Sequence, residues 1–472
     1  IQKQDCKVLL LTATPYNKQY KDLSSQLRLF IDDDTDLGIR PEAYIRSIGG
    51  ERKFAEKHED FIRSIKAFER SEFQEDWQEL MKLFLIRRTR TFIKENYAKT
   101  DSKNGRKYLE FKDGHKSYFP DRIPKAIKFQ TTEGDQYSRL YSEEMVSLME
   151  SLKLPRYGLI HYLDEKKAET ASKYEGNLID NLSRAGERMM GFCKSTFFKR
   201  VDSSGYAFLL TLYRHILRNA VYLYAIDNKL KLPVSDENSF PEDFIEDADI
   251  NKISTDSDDN KELLSNKSLL TIPKKMKDYM ERAETYYNSL IGKNNVQWID
   301  SKYFKRTLKQ GLKKDCDQLI AMINLCDDWN PQTDQKLNEL EKLLSNTHKD
   351  DKIIIFTQYS DTAVYVYKQL QKRGIKYIEK VTGDTKNPTA IVERFSPISN
   401  RADITKENEL RILIATDVLS EGQNLQDAHI IINYDLPWAI IRLIQRAGRV
   451  DRIDQSSEQI YCYSFFPADK VE

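Results

Sequence analysis

Three short runs in the last quarter of the chain are apolar at every position: Ile353-Ile354-Ile355-Phe356, Ile412-Leu413-Ile414-Ala415 and Ile430-Ile431-Ile432. A strand with no polar face must be covered on both faces. That is the situation of a central strand in a parallel sheet sandwiched between helices. Between the runs the spacing changes to threes and fours, with Ala363, Tyr367 and Leu370 on one face of a helix, a short helix from Thr389 to Phe395, and another from Trp438 to Gly448. Tyr377-Ile378 and Ile460 to Phe465 read as further strands. Strand and helix alternating from about Asp350 predict a doubly wound α/β domain over 346–472.

At 472 residues the chain is too long for one compact domain. Near its start, Val8-Leu9-Leu10-Leu11 reads as another buried parallel strand, stopped at Thr12-Ala13-Thr14-Pro15 because proline has no amide for a ladder. Helical spacing runs from about Leu23 to Tyr97, and the polar, Gly-containing stretch Asp101 to Lys116 reads as an exposed hairpin or loop. Ile123 to Gln130 alternates weakly and is assigned to the first sheet. Tyr137 to Asp227 and Lys275 to Leu344 read as helical. Asp227 to Ser265, rich in Asp, Glu, Asn and Ser, reads as a flexible acidic loop. The expected order is the end of a first lobe at 1–30, a helical insertion at 31–120, and a strand returning to that lobe at 121–135. A second helical region at 136–345 and a second lobe at 346–472 complete it.

The net charge of +1 says nothing about nucleic acid, so any binding surface must come from local clustering. The five cysteines form no CxxC pair, which argues against a zinc site, and no metal ligand set is assigned. No apolar run approaches the roughly 18 residues that span a bilayer. No signal peptide is recognised, and a reduced, cytoplasmic compartment is expected. Opening on Ile1 and reaching a strand within a few residues, the chain reads as the truncated edge of a longer protein.

In open α/β sheets, ligands sit beyond the carboxyl ends of the strands. The residues found there are Thr12 and Thr14, Thr357 and Gln358, Thr416 and Asp417, and Asp435. The sharpest signal is Gln445-Arg446-Ala447-Gly448-Arg449-Val450-Asp451-Arg452. If the helix continues through it, Gln445, Arg449 and Arg452 share one face. Guanidinium groups stabilise the charge that builds on a transferring phosphoryl group; the plain alternative is a solvated basic face. The second signal runs from Ala415 to Leu425. There Gly422 allows close backbone approach, and Thr416 and Ser420 can donate to phosphate oxygens. An ordinary strand-to-helix loop is the alternative. Lys302, Lys305, Arg306, Lys309, Lys313 and Lys314, with Tyr303 and Phe304 among them, could meet a phosphate backbone or form a solvated helix.

Together these segments resemble superfamily-two helicases. Thr12 to Pro15 resembles motif III, Ile355 to Tyr359 motif IV, Thr416 to Leu425 motif V and Gln445 to Arg452 motif VI, in the family's order. Phe84 to Thr89 resembles the "LRRT" segment of the Swi/Snf group, and Pro120 to Tyr141 its stretch from "LPPK" to "Q…LY". Asp435-Leu436-Pro437-Trp438 stands where that group has "DWNP", and Arg449 to Gln455 is similar to its "RxxRxGQ". Lys199-Arg200, Ser203-Ser204 and Ala207-Phe208 are similar to the "KRxxSSxxAF" of a bacterial branch. That branch includes the ATPase that recycles RNA polymerase and motors of restriction or phage-defence systems. The likeness is dense over 1–30, 80–140 and 350–465 and thin over 220–345.

The resemblance implies RecA-like doubly wound sheets, the end of one lobe and all of a second, with large helical insertions. It implies ATP and Mg2+ as cofactors, and arginine fingers at Arg449 and Arg452 with Gln445 orienting the γ-phosphate or water. Thr12, Thr14, Asp417, Gly422 and Gly448 would take part in ATP binding and coupling. Thr357, Gln358, Thr416, Ser420 and Asn424, with Lys305 and Arg306, would face nucleic acid. Strand-end capping by Thr12 and Thr357 and turn-holding by Asn424 are the plain alternatives. Double-stranded DNA is the favoured polymer, with restriction or defence subunits or RNA polymerase as partners. A strand-separating helicase and a non-catalytic scaffold are the competing readings. The family's Gly-Lys-Ser/Thr phosphate loop occurs nowhere in the chain, and no Asp-Glu pair ends a strand before Thr12. The expectation is that this polypeptide alone does not hydrolyse ATP.

Overall fold

A computed structural model of the chain describes residues 8–10, 20–86, 90–131, 135–235, 272–292, 296–420 and 423–467. The chain divides into two compact units, Ile1–Thr100 and Asp101–Glu472.

The first unit is mostly helical where described, in short pieces: Lys21–Leu27, Glu42–Ile48, Glu51–Lys57, Ile65–Glu69, Gln74–Phe84 and Arg90–Asn96. Leu23, Leu27, Phe68, Trp77 and Leu80 share one core. The Asp76 carboxylate accepts the amides of Ala43 and Tyr44 at 2.8 and 3.0 Å, satisfying donors that a helix start leaves open. The strand expected at Val8–Leu11 is not found among the described residues: Val8, Leu9 and Leu10 are in no ladder, and Leu9 is 82 % exposed. An apolar run becomes a buried strand only when strands lie beside it, which its own sequence does not decide.

The second unit is built on a six-stranded parallel sheet. Its strands are β1 (Asp121–Phe129), β2 (Ile353–Phe356), β3 (Ile378–Val381), β4 (Ile412–Ala415), β5 (Ile430–Asn433) and β6 (Gln459–Pro467), in the order β1-β6-β5-β2-β4-β3. β1 is the strand assigned from sequence to the first lobe. It pairs instead with β6 from Asp121 opposite Gln459 to Phe129 opposite Pro467. It is mostly exposed and carries Pro124, which an edge strand tolerates. Weak alternation marked a half-exposed strand correctly but carried no information about which sheet it would join.

Register explains the site. Val381 lies opposite Ala415, Ala415 opposite Phe356, Phe356 opposite Asn433 and Asn433 opposite Ser464. The central strands therefore end in one row, and the residues after them open onto one rim.

The helices of this unit include α1 (Lys173–Ser203), α2 (Gly205–Asp227), α3 (Met276–Leu290), α4 (Arg306–Cys326), α5 (Gln335–Lys342), α6 (Ser360–Lys372), α7 (Pro388–Phe395) and α8 (Ile440–Val450). Ile353, Ile355, Ile412, Ile414, Ile430 and Ile432 turn to one side of the sheet and join a core that includes α2, α4 and α6. Ile354, Phe356, Leu413, Ala415 and Ile431 turn to the other, against Val392 and Phe395 of α7 and Ala447 and Val450 of α8. The helical region before the sheet is thus one of its two covers, which is why the strands are apolar on both faces. A Cβ on Gly205, at the turn into α2, would lie 2.3 Å from the Trp329 ring, so only glycine fits there.

Asp101 to Lys116 is the expected hairpin: Lys107–Glu110 pairs antiparallel with Lys116–Tyr118. A two-stranded ribbon of Lys231–Ser235 and Val296–Asp300, not foreseen, runs within the helical region. Most of the expected acidic loop lies outside the described residues. No described helix is long and apolar enough to cross a membrane.

Candidate functional site

Arg446 organises the rim. It lies on α8 beside Ala447 and Val450, on the buried face, and is 0 % exposed. A guanidinium there must find anionic or carbonyl partners. Its Nε and Nη2 grip the Asp417 carboxylate at 2.6 and 3.0 Å, and its Nη1 donates to Asn433 Oδ1 and the Asp435 carbonyl, both at 3.2 Å. One side chain ties α8 to the ends of β4 and β5. Asp417, expected to couple to nucleotide, is held in this clamp, with Arg442 Nη1 a further 3.5 Å away. α8 buries Arg446 and Arg449 along with Ala447 and Val450 and exposes Ile440 and Ile444, because the strand-end oxygens draw the guanidinium inward.

α8 ends at Val450, so Arg452 is not on the helix, contrary to the shared-face expectation. The two arginines nevertheless converge. Arg449 Nη1 lies 3.5 Å and Arg452 Nη2 2.6 Å from the same acceptor, the Gln423 carbonyl. Burial pulls the Arg452 guanidinium below the ordinary arginine range; an arginine stays charged regardless. Gln445 is half-buried on α8, and its side chain has no hydrogen bond among the described residues. A Cβ at Gly448 would meet nothing within 4 Å among the described residues. Asn424 holds a turn: its Nδ2 donates to the Ser399 carbonyl at 3.2 Å, and its own carbonyl accepts from Asn400 at 2.9 Å. Thr416 is buried, and its amide extends the ladder to the Val381 carbonyl at 3.0 Å. Thr12, Thr14 and Gly422 lie outside the described residues, as does the side chain of Ser420.

A second cluster lies at the end of β2. Asp435 is 2 % exposed, and its carboxylate accepts from Ser203 Oγ, Thr357 Oγ1 and, at 2.8 Å, the Gln358 amide. Ser203 also shares a 2.8 Å hydrogen bond with Thr362 Oγ1. Beside it, the buried Asp361 carboxylate binds Arg214 at 2.5 and 2.9 Å and Arg200 at 3.1 Å. Burial pushes that carboxyl up, but Arg214 and Arg200 outweigh it and hold it below the usual 3.8. Arg200 also lies over the Tyr359 ring, 4.0 Å from its centroid. Lys336, 1 % exposed, donates to the carbonyls of Asp202 and Ser203 at 2.6 and 3.0 Å. Burial lowers its amine's pKa against the opposing pull of Asp202, Asp435 and Asp334. This is where the "KRxxSSxxAF" segment falls: Arg200 and Ser203 lock α1 to the β2 end, Lys199 donates to the Leu436 carbonyl at 3.3 Å, and Ala207 and Phe208 are fully buried.

Thr357 and Gln358, expected to face nucleic acid, are turned into the fold. Thr357 is 1 % exposed and Gln358 6 %, and the threonine hydroxyl is engaged by Asp435. Along α4, Lys305 and Arg306 are exposed, as are Lys313 and Lys314, whereas Lys302 pairs with Asp300 and Lys309 with Asp227. Tyr303 and Phe304 are buried, at 2 % and 7 % exposure, and present no ring for base stacking. No group of described His, Cys, Asp or Glu residues could hold a metal ion.

Residues 335–454 match the helicase conserved C-terminal domain. The chain is 35% identical over 126 residues to an uncharacterized ATP-dependent helicase, YqhH, of Bacillus subtilis (strain 168), covering 26% of this chain and 20% of that protein. It is 31% identical over 161 residues to the RNA polymerase-associated protein RapA of Haemophilus influenzae (strain PittEE), covering 33% of this chain and 16% of that one. The solved C-terminal part of the Fun30 ATPase domain overlaps it with a TM-score of 0.36 and 13% identity, over 74% of this chain and 86% of that one. The matched region is thus a fifth or less of each of the two curated relatives.

Proposed function

We propose that this chain, whose residues 335–454 match the helicase conserved C-terminal domain, is the C-terminal part of a Swi/Snf-like superfamily-two protein and serves an ATP-driven motor that translocates on double-stranded DNA. The observation that carries the proposal is the meeting at the Gln423 carbonyl of Arg449, on a helix fixed by the Arg446–Asp417 clamp, and Arg452, two residues past the end of that helix. A neutral carbonyl is a weak acceptor for two cations. A γ-phosphate is a far stronger one, because hydrogen bonds between ionised partners are roughly twice as strong as neutral ones. The pair is suited to binding a triphosphate presented by another lobe and to stabilising the charge that develops on it.

The residues present fit only that end of the nucleotide. Arg449, Arg452 and Gln445 can address the γ-phosphate. The Gly-Lys-Ser/Thr loop that would hold the rest of ATP occurs nowhere in these 472 residues, and no Asp-Glu pair that would hold its Mg2+ precedes Thr12. Bound Mg2+ would supply charge neutralisation between the phosphates. Hydrolysis therefore belongs to a protein that includes those residues, and the 472 residues alone are expected to be inactive. Partnership with RNA polymerase is a narrower reading, favoured by the RapA relative and testable by co-sedimentation.

In the protein extended upstream, Arg449→Ala and Arg452→Ala should each lower DNA-stimulated turnover by about 10³-fold or more, the scale of an arginine finger. Turnover within threefold of the parent would refute the role. Displacement of a triplex strand without duplex unwinding would mark a translocase; unwinding would favour the strand-separating alternative.

A further inference from the structure

The pattern RxxRxGQ, which Arg449 to Gln455 resembles, has glycine at its sixth place; here that place is Asp454. Asp454 has φ 72, in the left-handed region that glycine enters freely and an L side chain enters at a cost. Two contacts from the hairpin hold it there. The Asp454 amide donates to Ser117 Oγ at 2.8 Å, and its carboxylate meets His115 Nε2 at 2.9 Å. Ser117 is buried and lies opposite Leu109 in the hairpin ladder.

The flanking residues are pinned as well. Asp451, with no exposed side-chain surface, is paired to Arg122 of β1. Arg106 bridges to Glu458 at 2.7 Å. Gln455 Nε2 donates to the carbonyls of Gln426, Ala428 and Val450 at 3.0, 3.1 and 2.9 Å. Arg452 sits between these anchors, off the end of α8, so its reach to Gln423 is set by the turn at 451–455 and not by helix geometry.

We propose that the hairpin Lys107–Tyr118 is a positioning element for Arg452: Ser117 and His115 hold Asp454 left-handed and thereby fix the turn from which the guanidinium extends. The proposal rests on the arginine-pair reading above. In this chain the hairpin does what a glycine does by itself in the resembling pattern. Ser117 is accordingly a positioning residue that touches no substrate.

The test uses Ser117→Ala in the upstream-extended protein. It should lower kcat roughly tenfold with KM for ATP within about twofold, since misplacing a group that acts in the transition state costs rate more than binding. In the 472-residue chain, amide hydrogen exchange at Asp454 and its neighbours should speed up while that of β5 is unchanged. Adding Asp454→Gly to Ser117→Ala should restore kcat to within about threefold of the parent, because glycine needs no holding in that conformation. A general loss of folding would not be repaired by glycine. Parental kcat in Ser117→Ala, or loss of kcat that Asp454→Gly does not rescue, would overturn the proposal. Full turnover in Ser117→Ala beside a dead Arg452→Ala removes the brace alone; full turnover in Arg452→Ala removes the arginine reading itself.

Discussion

Replacing Asp361 by alanine isolates the joint between the helical region and the helicase lobe. The carboxylate is 5 % exposed and makes three hydrogen bonds to two guanidiniums, Arg200 and Arg214, which are themselves 1 % and 8 % exposed. Deleting one partner of a buried ion pair costs about 3–5 kcal/mol, because the other charge stays buried without compensation. Here two cations are stranded together, so the upper end applies. The Tyr359 ring beneath Arg200 offsets up to about 2 kcal/mol for a desolvated cation. The expected net loss is then about 3–4 kcal/mol. With a urea slope of about 3 kcal/mol per molar, the unfolding midpoint should fall by about 1 M. Fluorescence of Trp329, which packs at the same joint, reports the transition. The sign with pH is fixed. A carboxyl held below its unfolded value of about 3.9 stabilises fully above that pH, and the contribution is lost as pH falls through the folded pKa. The gap between parent and Asp361→Ala should therefore close below about pH 4. A midpoint shift under about 0.3 M at pH 7 would refute the claim that this triad carries the joint.

His215 supplies a pH dependence of its own. Burial first, then Arg156, Arg218, Arg200 and Arg214, push its imidazole well below 6.5, and its Nδ1 lies 3.3 Å from Arg156 Nη2. The unfolded chain takes up a proton that the folded one refuses, so stability should fall as pH drops below about 6.5, by about 1.4 kcal/mol per unit. His215→Gln should flatten that slope in denaturation series at pH 5 to 7; an unchanged slope would contradict it. On α4, Lys305→Glu with Arg306→Glu should weaken duplex binding and reduce the salt slope of log K by about 2, near 0.9 per phosphate contact. An unchanged slope would return that face to solvent.

The α/β character and the strand ends were legible because continuous apolar runs report burial on both faces, and β2 and β4 fall where those runs do. What covers the faces was not legible. Nothing in the spacing of Ile353 to Phe356 says that one side meets α2 and the other α8. Arg449 and Arg452 were singled out by charge and spacing on one continuous helix face, a geometry that does not hold, since α8 stops at Val450. Arg446 was passed over, although it shares a helical face with Ala447 and Val450 and a buried guanidinium requires an acid. Asp417, three residues past a strand centre, was that acid. The Arg200–Ser203 segment was recognised as a pattern but its partners were not, because Asp361 and Asp435 lie far along the chain and only the fold brings them together. For the same reason Thr357 and Gln358 looked like an exposed strand end when helix α1 in fact seals it. β1 was recognised as a strand, but the choice of neighbour rests on long-range pairing with β6 that alternation cannot encode.

The most direct test of the account is a structure of the upstream-extended protein bound to a nonhydrolysable ATP analogue and duplex DNA. The account predicts that Arg449 and Arg452 leave the Gln423 carbonyl and donate to γ-phosphate oxygens at about 3 Å. Both guanidiniums still on Gln423, with the lobes closed around the nucleotide and other cations at its γ-phosphate, would contradict it.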